Sequence, residues 1–320
     1  MTNTLQIGIK KKHNILNVIA VLSLVGLSII FIFDSGSCIE YVKGGLRLCF
    51  FTVIPSLFPF LCIFGILQRC GAMEAFSSHI SKPFCKIFAL PAPALCAVLC
   101  GLCCGSPVGI KTACELYSEK KLTKKECERI ICFCGCPSIS FFISGIGVTL
   151  YGNIKVGILL YISVLLANLL CGVMLGLHEH KTFTNISTVK IEIIPQHFTN
   201  SIISATETII RLCGFIVFFS TFINILSDFV VDKIPQVFIA VVLGVFEFVS
   251  GTNNAALTLS FIPSVILCAA ITGWSGLSVH MQTIAIFGNN KISFKLYFLS
   301  KVIISLLSTS LAFLGLSFII

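Results

Sequence analysis

The feature that most constrains this chain is a series of apolar runs long enough to cross a bilayer, each of which must satisfy its own backbone in a solvent without water. They occupy Ile15–Phe33, Leu46–Leu67, Ile130–Leu150, Val156–Leu177, Ile209–Leu226, Ile262–Phe287 and Leu296–Ile319. A spanning helix needs about 20 apolar residues, so these runs predict a polytopic α-helical membrane protein in a lipid bilayer. Composition agrees, since 56% of the 320 residues are hydrophobic and 11% charged, with a mean hydropathy of +1.02. A water-soluble domain does not carry that balance. The net charge of +9 raises nucleic acid as a partner. The basic residues stand in short clusters between apolar runs, however, as loop charges that set orientation do, and no nucleic-acid partner is expected.

Two further segments, Ala92–Tyr117 and Pro235–Phe261, are apolar but broken. In the first, two arms of about half the spanning length meet at Gly105-Ser106-Pro107. Pro107 has no amide to donate, and Gly105 leaves helical geometry freely. Taken alone, the segment reads equally as one kinked span or as a re-entrant hairpin. Lys82 and Lys86 precede it and Lys120, Lys121, Lys124 and Lys125 follow it, so both ends carry the mark of one face. With the N-terminus cytoplasmic and both broken segments treated as hairpins, the loop cations from Lys10 to Lys295 fall inside. Only Lys43, Arg47, Lys155 and Lys233 fall outside, while Lys111, Arg211 and Lys301 lie in or at the edge of apolar segments. Lys10-Lys11-Lys12-His13 before Ile15–Phe33 resembles the start of a signal peptide, but the apolar run is long and no small-x-small site precedes Asp34. It is read as an uncleaved first span.

The chain also repeats itself. Tyr151-Gly152-Asn153-Ile154-Lys155 returns 136 positions later as Phe287-Gly288-Asn289-Asn290-Lys291, and Ala97-Val98-Leu99-Cys100-Gly101 returns 143 positions later as Ala240-Val241-Val242-Leu243-Gly244. The charged stretch Ser118–Glu128 has almost no counterpart and accounts for the difference. The expected fold is all-α, an inverted repeat of span, re-entrant hairpin, broken span and span, after one extra N-terminal transmembrane helix. Its parts are residues 1–43 (tail and first helix), 44–177 (first repeat, hairpin 92–117), 178–200 (cytoplasmic linker) and 201–320 (second repeat, hairpin 235–261). Paired broken segments in inverted repeats build the midplane binding sites of secondary transporters.

Breaks recur at Gly135-Cys136-Pro137-Ser138 and at Thr272-Gly273-Trp274-Ser275-Gly276, so two hairpin tips and two unwound helices are expected to converge. The N-termini of half-helices present amides with partial positive charge, which suit carboxylate or phosphate. The expected ligand is therefore a small anion. Candidate binding residues are Gly105, Ser106, Pro107, Lys111 and Ser138 in the first half. Ser250, Gly251, Thr252, Asn253, Asn254, Thr272 and Ser275 are the candidates in the second. Lys111 either holds the anion or snorkels to the cytoplasmic face. Glu247 is the coupling candidate; it carries a proton, holds a cation or pairs with Lys111. Glu207 and Arg211 read as a local i,i+4 pair. The facing of His280 and Gln282 is open. Seventeen cysteines sit mostly inside apolar runs as small hydrophobes, and His178, His180 and His197 lack metal-ligand spacing. No metal, no cofactor and no enzymatic activity are expected, since no nucleotide loop, HExxH or Ser/His/Asp arrangement is visible.

Several of these residues together resemble a known group. Gly45-Leu46-Arg47-Leu48, Ile54-Pro55-Ser56-Leu57-Phe58-Pro59-Phe60, Cys104-Gly105-Ser106-Pro107-Val108-Gly109-Ile110-Lys111, Leu122-Thr123 and Glu126–Arg129 look like the YlbJ-type sporulation integral membrane proteins, which carry a nucleoside-recognition or Gate domain. Gly105, Pro107, Gly109 and Lys111 match the first-hairpin pattern, with Cys104, Ser106 and Ile110 departing from it, and Glu247 and Gly251 match the second. The resemblance covers most of the chain beyond the first span. It implies a bacterial cell membrane or outer forespore membrane, and transport of dipicolinic acid into the forespore during sporulation. It also raises a nucleoside as competing solute, and a third reading is a non-transporting membrane partner in spore assembly. A homo-oligomer is left open.

Overall fold

The computed structural model describes residues 24–177, 191–228, 235–287 and 292–319, together with Val18, Val21, Leu22 and Glu179. The basic cluster Lys10–His13, most of the linker (His178, His180 to Lys190), Lys233 and the second repeat motif Gly288–Lys291 lie outside the described residues. Among those described, the chain is helical and contains no strand. In order the helices are α1 (Leu24–Phe33), α2 (Ser35–Leu48), α3 (Ile54–Arg69), α4 (Ala72–Phe88), α5 (Ala94–Cys104), α6 (Ser106–Ser118) and α7 (Lys124–Phe133). After them come α8 (Ile154–Gly176), α9 (Pro195–Asp228), α10 (Gln236–Phe246), α11 (Phe248–Thr258), α12 (Phe261–Trp274), α13 (Gly276–Phe287) and α14 (Phe294–Gly315).

Five helical stretches are long and apolar enough to cross a membrane: Ser35–Arg69, Ile154–Gly176, Pro195–Ile225, Phe261–Ile286 and Phe294–Phe318. Their outer faces suit lipid. On α8, Ile154, Ile158, Ile162, Leu166, Leu170 and Met174 form an exposed stripe at four-residue steps, while Gly157, Leu160, Val164, Ala167 and Cys171 turn into the protein. Water would penalise that stripe, and a bilayer does not. The protein is a polytopic all-α membrane protein.

Two expected boundaries differ in the structure, at 43/44 and at the end of the linker. The division at 43/44 falls within α2, which runs on through the π-helical turn Cys49–Val53 into α3. Gly44-Gly45 does not stop it, because Gly45 packs on α9, where a Cβ would come within 2.7 Å of Ser220 Oγ. Ile130–Leu150 is interrupted where Gly135-Cys136-Pro137-Ser138 predicts: α7 ends at Phe133, the next residues are non-helical, and a π-helical stretch covers Phe141–Leu150. Pro137 at that break cannot continue a hydrogen-bond ladder. Finally, the linker ends in helix, since α9 starts at Pro195.

Inside, α2 and α3 pack along α9, while α14 packs on both α8 and α12. Gly45 meets Ser220 and Gly65 meets Ser201, so the α2–α3 run and α9 are antiparallel. The two broken segments each fold back into a helix pair, α5 with α6 and α10 with α11. In each pair two glycines touch backbone to backbone. A Cβ on Gly109 would stand 2.3 Å from Gly101 Cα, and one on Gly251 would stand 2.3 Å from Gly244 Cα. The pairs turn at Gly105 and Glu247, and both ends of α10 and the start of α11 lie 142 positions after their partners in the first pair.

Candidate functional site

The four breaks do converge. Gly105 and Ser106 from the first turn, Pro137 and Ser138 from the first interruption, Ser275 from the second and Phe248 from the second turn line one cavity of about 40 Å³. Leu57, Leu61, Phe141, Ile209 and Leu212 close it. A volume of that size holds a water molecule or two, not an organic solute. Gly105 adopts φ +103°, a conformation that L side chains rarely adopt. Pro107 stands in the first turn of α6.

The two turns are chemically unequal. Glu247 is 1% exposed, and its carboxylate accepts the amides of Val249 at 3.1 Å and Ser250 at 2.6 Å. It therefore caps α11 and does not face Lys111, which corrects that pairing. The acid reaches forward onto its own helix, as an N-cap does. Gly105, at the equivalent place, brings no side chain, and α6 starts without a side-chain cap. One tip thus carries its own carboxylate, and the other leaves that position open.

From this junction a larger cavity of about 340 Å³ extends outward, sharing Leu61, Cys104 and Thr208 with it. Arg69, Lys111 and Arg211 line it, with Glu115 and Glu207 as the acids and Gln68, Thr112, Ser201, Ser204 and Gln282 as hydrogen-bonding groups. The volume lies in the range of small-molecule sites. Lys111 Nζ is 4.0 Å from Glu115, both side chains being about half exposed. Arg69 and Arg211 meet no carboxylate within 4 Å among the described residues. The expected Glu207–Arg211 pair is thus not formed, and its arginine stands free in the cavity. Gln68 Nε2 donates to Thr112 Oγ1 at 3.2 Å, which fixes part of the wall.

The remaining candidates are placed elsewhere. Thr252 and Thr272 are fully buried and donate to carbonyls of their own helices, Val249 at 3.0 Å and Cys268 at 2.6 Å. Gly251 is taken up by its contact with Gly244. Ser250, Asn253 and Asn254 line a different cavity, beside Arg47.

A search against family models finds none that matches the chain, and no solved structure matches it. Over 302 residues the chain is 25% identical to the sporulation integral membrane protein YlbJ of Bacillus subtilis (strain 168), an alignment covering 82% of this chain and 74% of that protein. The chain is a relative of YlbJ. The resemblance read from Gly45 through Arg129 is thereby supported, as is an integral membrane protein connected with sporulation.

Similarity to YlbJ does not point to the residues that sequence reasoning passed over. Foremost is Lys301 on α14, fully buried, whose ammonium donates to the Gly135 carbonyl and lies 5.7 Å from the Tyr297 ring centroid. A Cβ on Gly135 would stand 3.3 Å from Lys301 Nζ and 3.6 Å from Ser106 Cβ, so the ammonium sits directly behind the junction. The signal was visible, a lysine inside a spanning run. His280 also turns inward, its Nδ1 3.1 Å from the Tyr297 hydroxyl, and the Trp274 indole N–H donates to the Val245 carbonyl at 3.0 Å. Arg129, counted as a loop cation, is buried and donates to the carbonyls of Phe88 and Ala89. There it caps α4.

Proposed function

We propose that this protein is a carrier for a small aromatic dicarboxylate, with dipicolinate, the solute implied by the resemblance, as its cargo into the forespore. The observation that carries the reading is the cavity holding Arg69, Lys111 and Arg211, which adjoins, through Leu61, Cys104 and Thr208, the small junction cavity at the uncapped start of α6. Guanidinium groups bind carboxylates through paired hydrogen bonds, and a free helix N-terminus accepts a second anionic group. A rigid ring with two carboxylates can address both. The paired helix turns and the antiparallel first spans support inverted repeats with re-entrant hairpins, the N-terminus lying in the cytoplasm. The closed junction then acts as the barrier between the two faces.

Uptake by proteoliposomes distinguishes this from a nucleoside permease. Wild-type protein is expected to accumulate dipicolinate in preference to nucleosides, and Lys111→Ala to raise the half-saturating concentration about tenfold, since a charge-assisted hydrogen bond contributes roughly 1.5–3 kcal/mol. Saturable nucleoside uptake unaffected by Lys111→Ala overturns the proposal.

A further inference from the structure

A second cavity, of about 410 Å³, lies at the other end of the antiparallel α2–α3 and α9 helices. Gly44, Arg47 and Phe51 line it from one side, Ser220 and Asn224 from α9, and Ser250, Asn253 and Asn254 from α11. Shifted by 142 positions, Val108, Lys111 and Thr112 of the first cavity become Ser250, Asn253 and Asn254 of the second. On the spans the shift is 164 positions, and Gly44, Arg47 and Phe51 become Thr208, Arg211 and Phe215. The two shifts differ by 22 residues, which α4 and its connections take up, as no described helix corresponds to it. The same three places on a span and the same three on a hairpin arm thus line a cavity at each end.

Chemistry follows the geometry. Arg47 meets no carboxylate within 4 Å among the described residues, as is true of Arg211. A guanidinium without an acid partner, beside the three carboxamides of Asn224, Asn253 and Asn254, is a carboxylate receptor. The cavities are unequal: Asn253 occupies the place of Lys111 and no lining residue replaces Arg69, so the second holds one cation where the first holds three, and it also lacks the acids Glu115 and Glu207.

We infer that the second cavity is a carboxylate-binding station on the opposite membrane face, in which Arg47 takes the part of Arg211. This rests on the carrier reading above and adds the far-side site to it. With Lys111 replaced by Asn253, the station holds the dicarboxylate more weakly than the first and favours its release there.

The test is uptake of dipicolinate by membrane vesicles of both orientations, right-side-out and inside-out, with thermal melting to verify that each variant is folded. Arg47→Gln is expected to raise the half-saturating concentration about tenfold from one face only, and Arg211→Gln from the other, with Arg47→Lys recovering most of the loss. An Arg47→Gln protein that melts like wild type and is unchanged from both faces overturns the second station while leaving the carrier intact. Both arginines acting from the same face overturns it equally. Wild-type protein that carries dipicolinate from neither face removes the carrier reading and the station together.

Discussion

Lys301 shows what one side chain does in the middle of this protein. Its ammonium is removed from solvent, with the Gly135 carbonyl and the Tyr297 ring as its neighbours. Taking a charge out of water is unfavourable by several kcal/mol, and replacing a buried charge with an apolar group of similar shape is often neutral or stabilising. Lysine at this place is therefore poorly explained by stability, and its position behind Ser106 connects it to the junction. Lys301→Met should leave the melting temperature equal or higher, yet reduce dipicolinate uptake more than tenfold. Thermal melting and uptake on one preparation check this, and a fall in both together would assign the residue to structure. The lysine was legible in sequence as a charge inside an apolar run. Its partner was not, because Gly135 lies 166 positions away and no local periodicity links the two.

At the scale of elements, the hairpins depend on glycines that let two helices touch. Gly109 and Gly251 each face the backbone of the opposing arm with no room for a methyl group, whereas Gly214 in α9 has nothing within 4 Å. Gly109→Ala and Gly251→Ala should each destabilise the protein by about 1–3 kcal/mol, as overpacked sites do. Gly214→Ala should be neutral or stabilising by up to about 1 kcal/mol through helix propensity. Thermal melting of the three variants checks the contrast, and equal effects at all three would show that the arms are not in contact. Both breaks could be read from sequence because proline and glycine act locally. The second turn lies at Glu247, ahead of the polar stretch Ser250–Asn254. Glu247 makes that turn by capping its own helix, and an acid in an apolar run invites a search for a distant partner. The π-helical stretches carry no comparable local mark, and the division expected at 43/44 falls inside α2, whose Gly45 packs on α9.

In the whole molecule, the two halves are joined where α14 packs on α8 and where their first spans cross. Helices in lipid gain nothing from hiding apolar surface, so close approach through small side chains has to hold them. Gly45, Gly65, Ser201 and Ser220 provide it along this contact, and between them Cys49 Sγ approaches the Cys213 carbonyl at 3.8 Å. Short matching motifs in the sequence suggest a repeat, but nothing in them shows the packing of one first span on the other, because α3 and α9 share no motif that a reader would align. The antiparallel contact also places the two cavities at opposite ends, so it underlies the transport reading. In a protein retaining only Cys49 and Cys213, a mild oxidant should therefore form a disulfide across the two halves. Cleavage at a protease site introduced in the linker at 181–190 should then leave a single species without reductant and two fragments with it. Fragments that separate without reductant would mean that the first spans do not cross as described, and the pairing of the two cavities would fall with them.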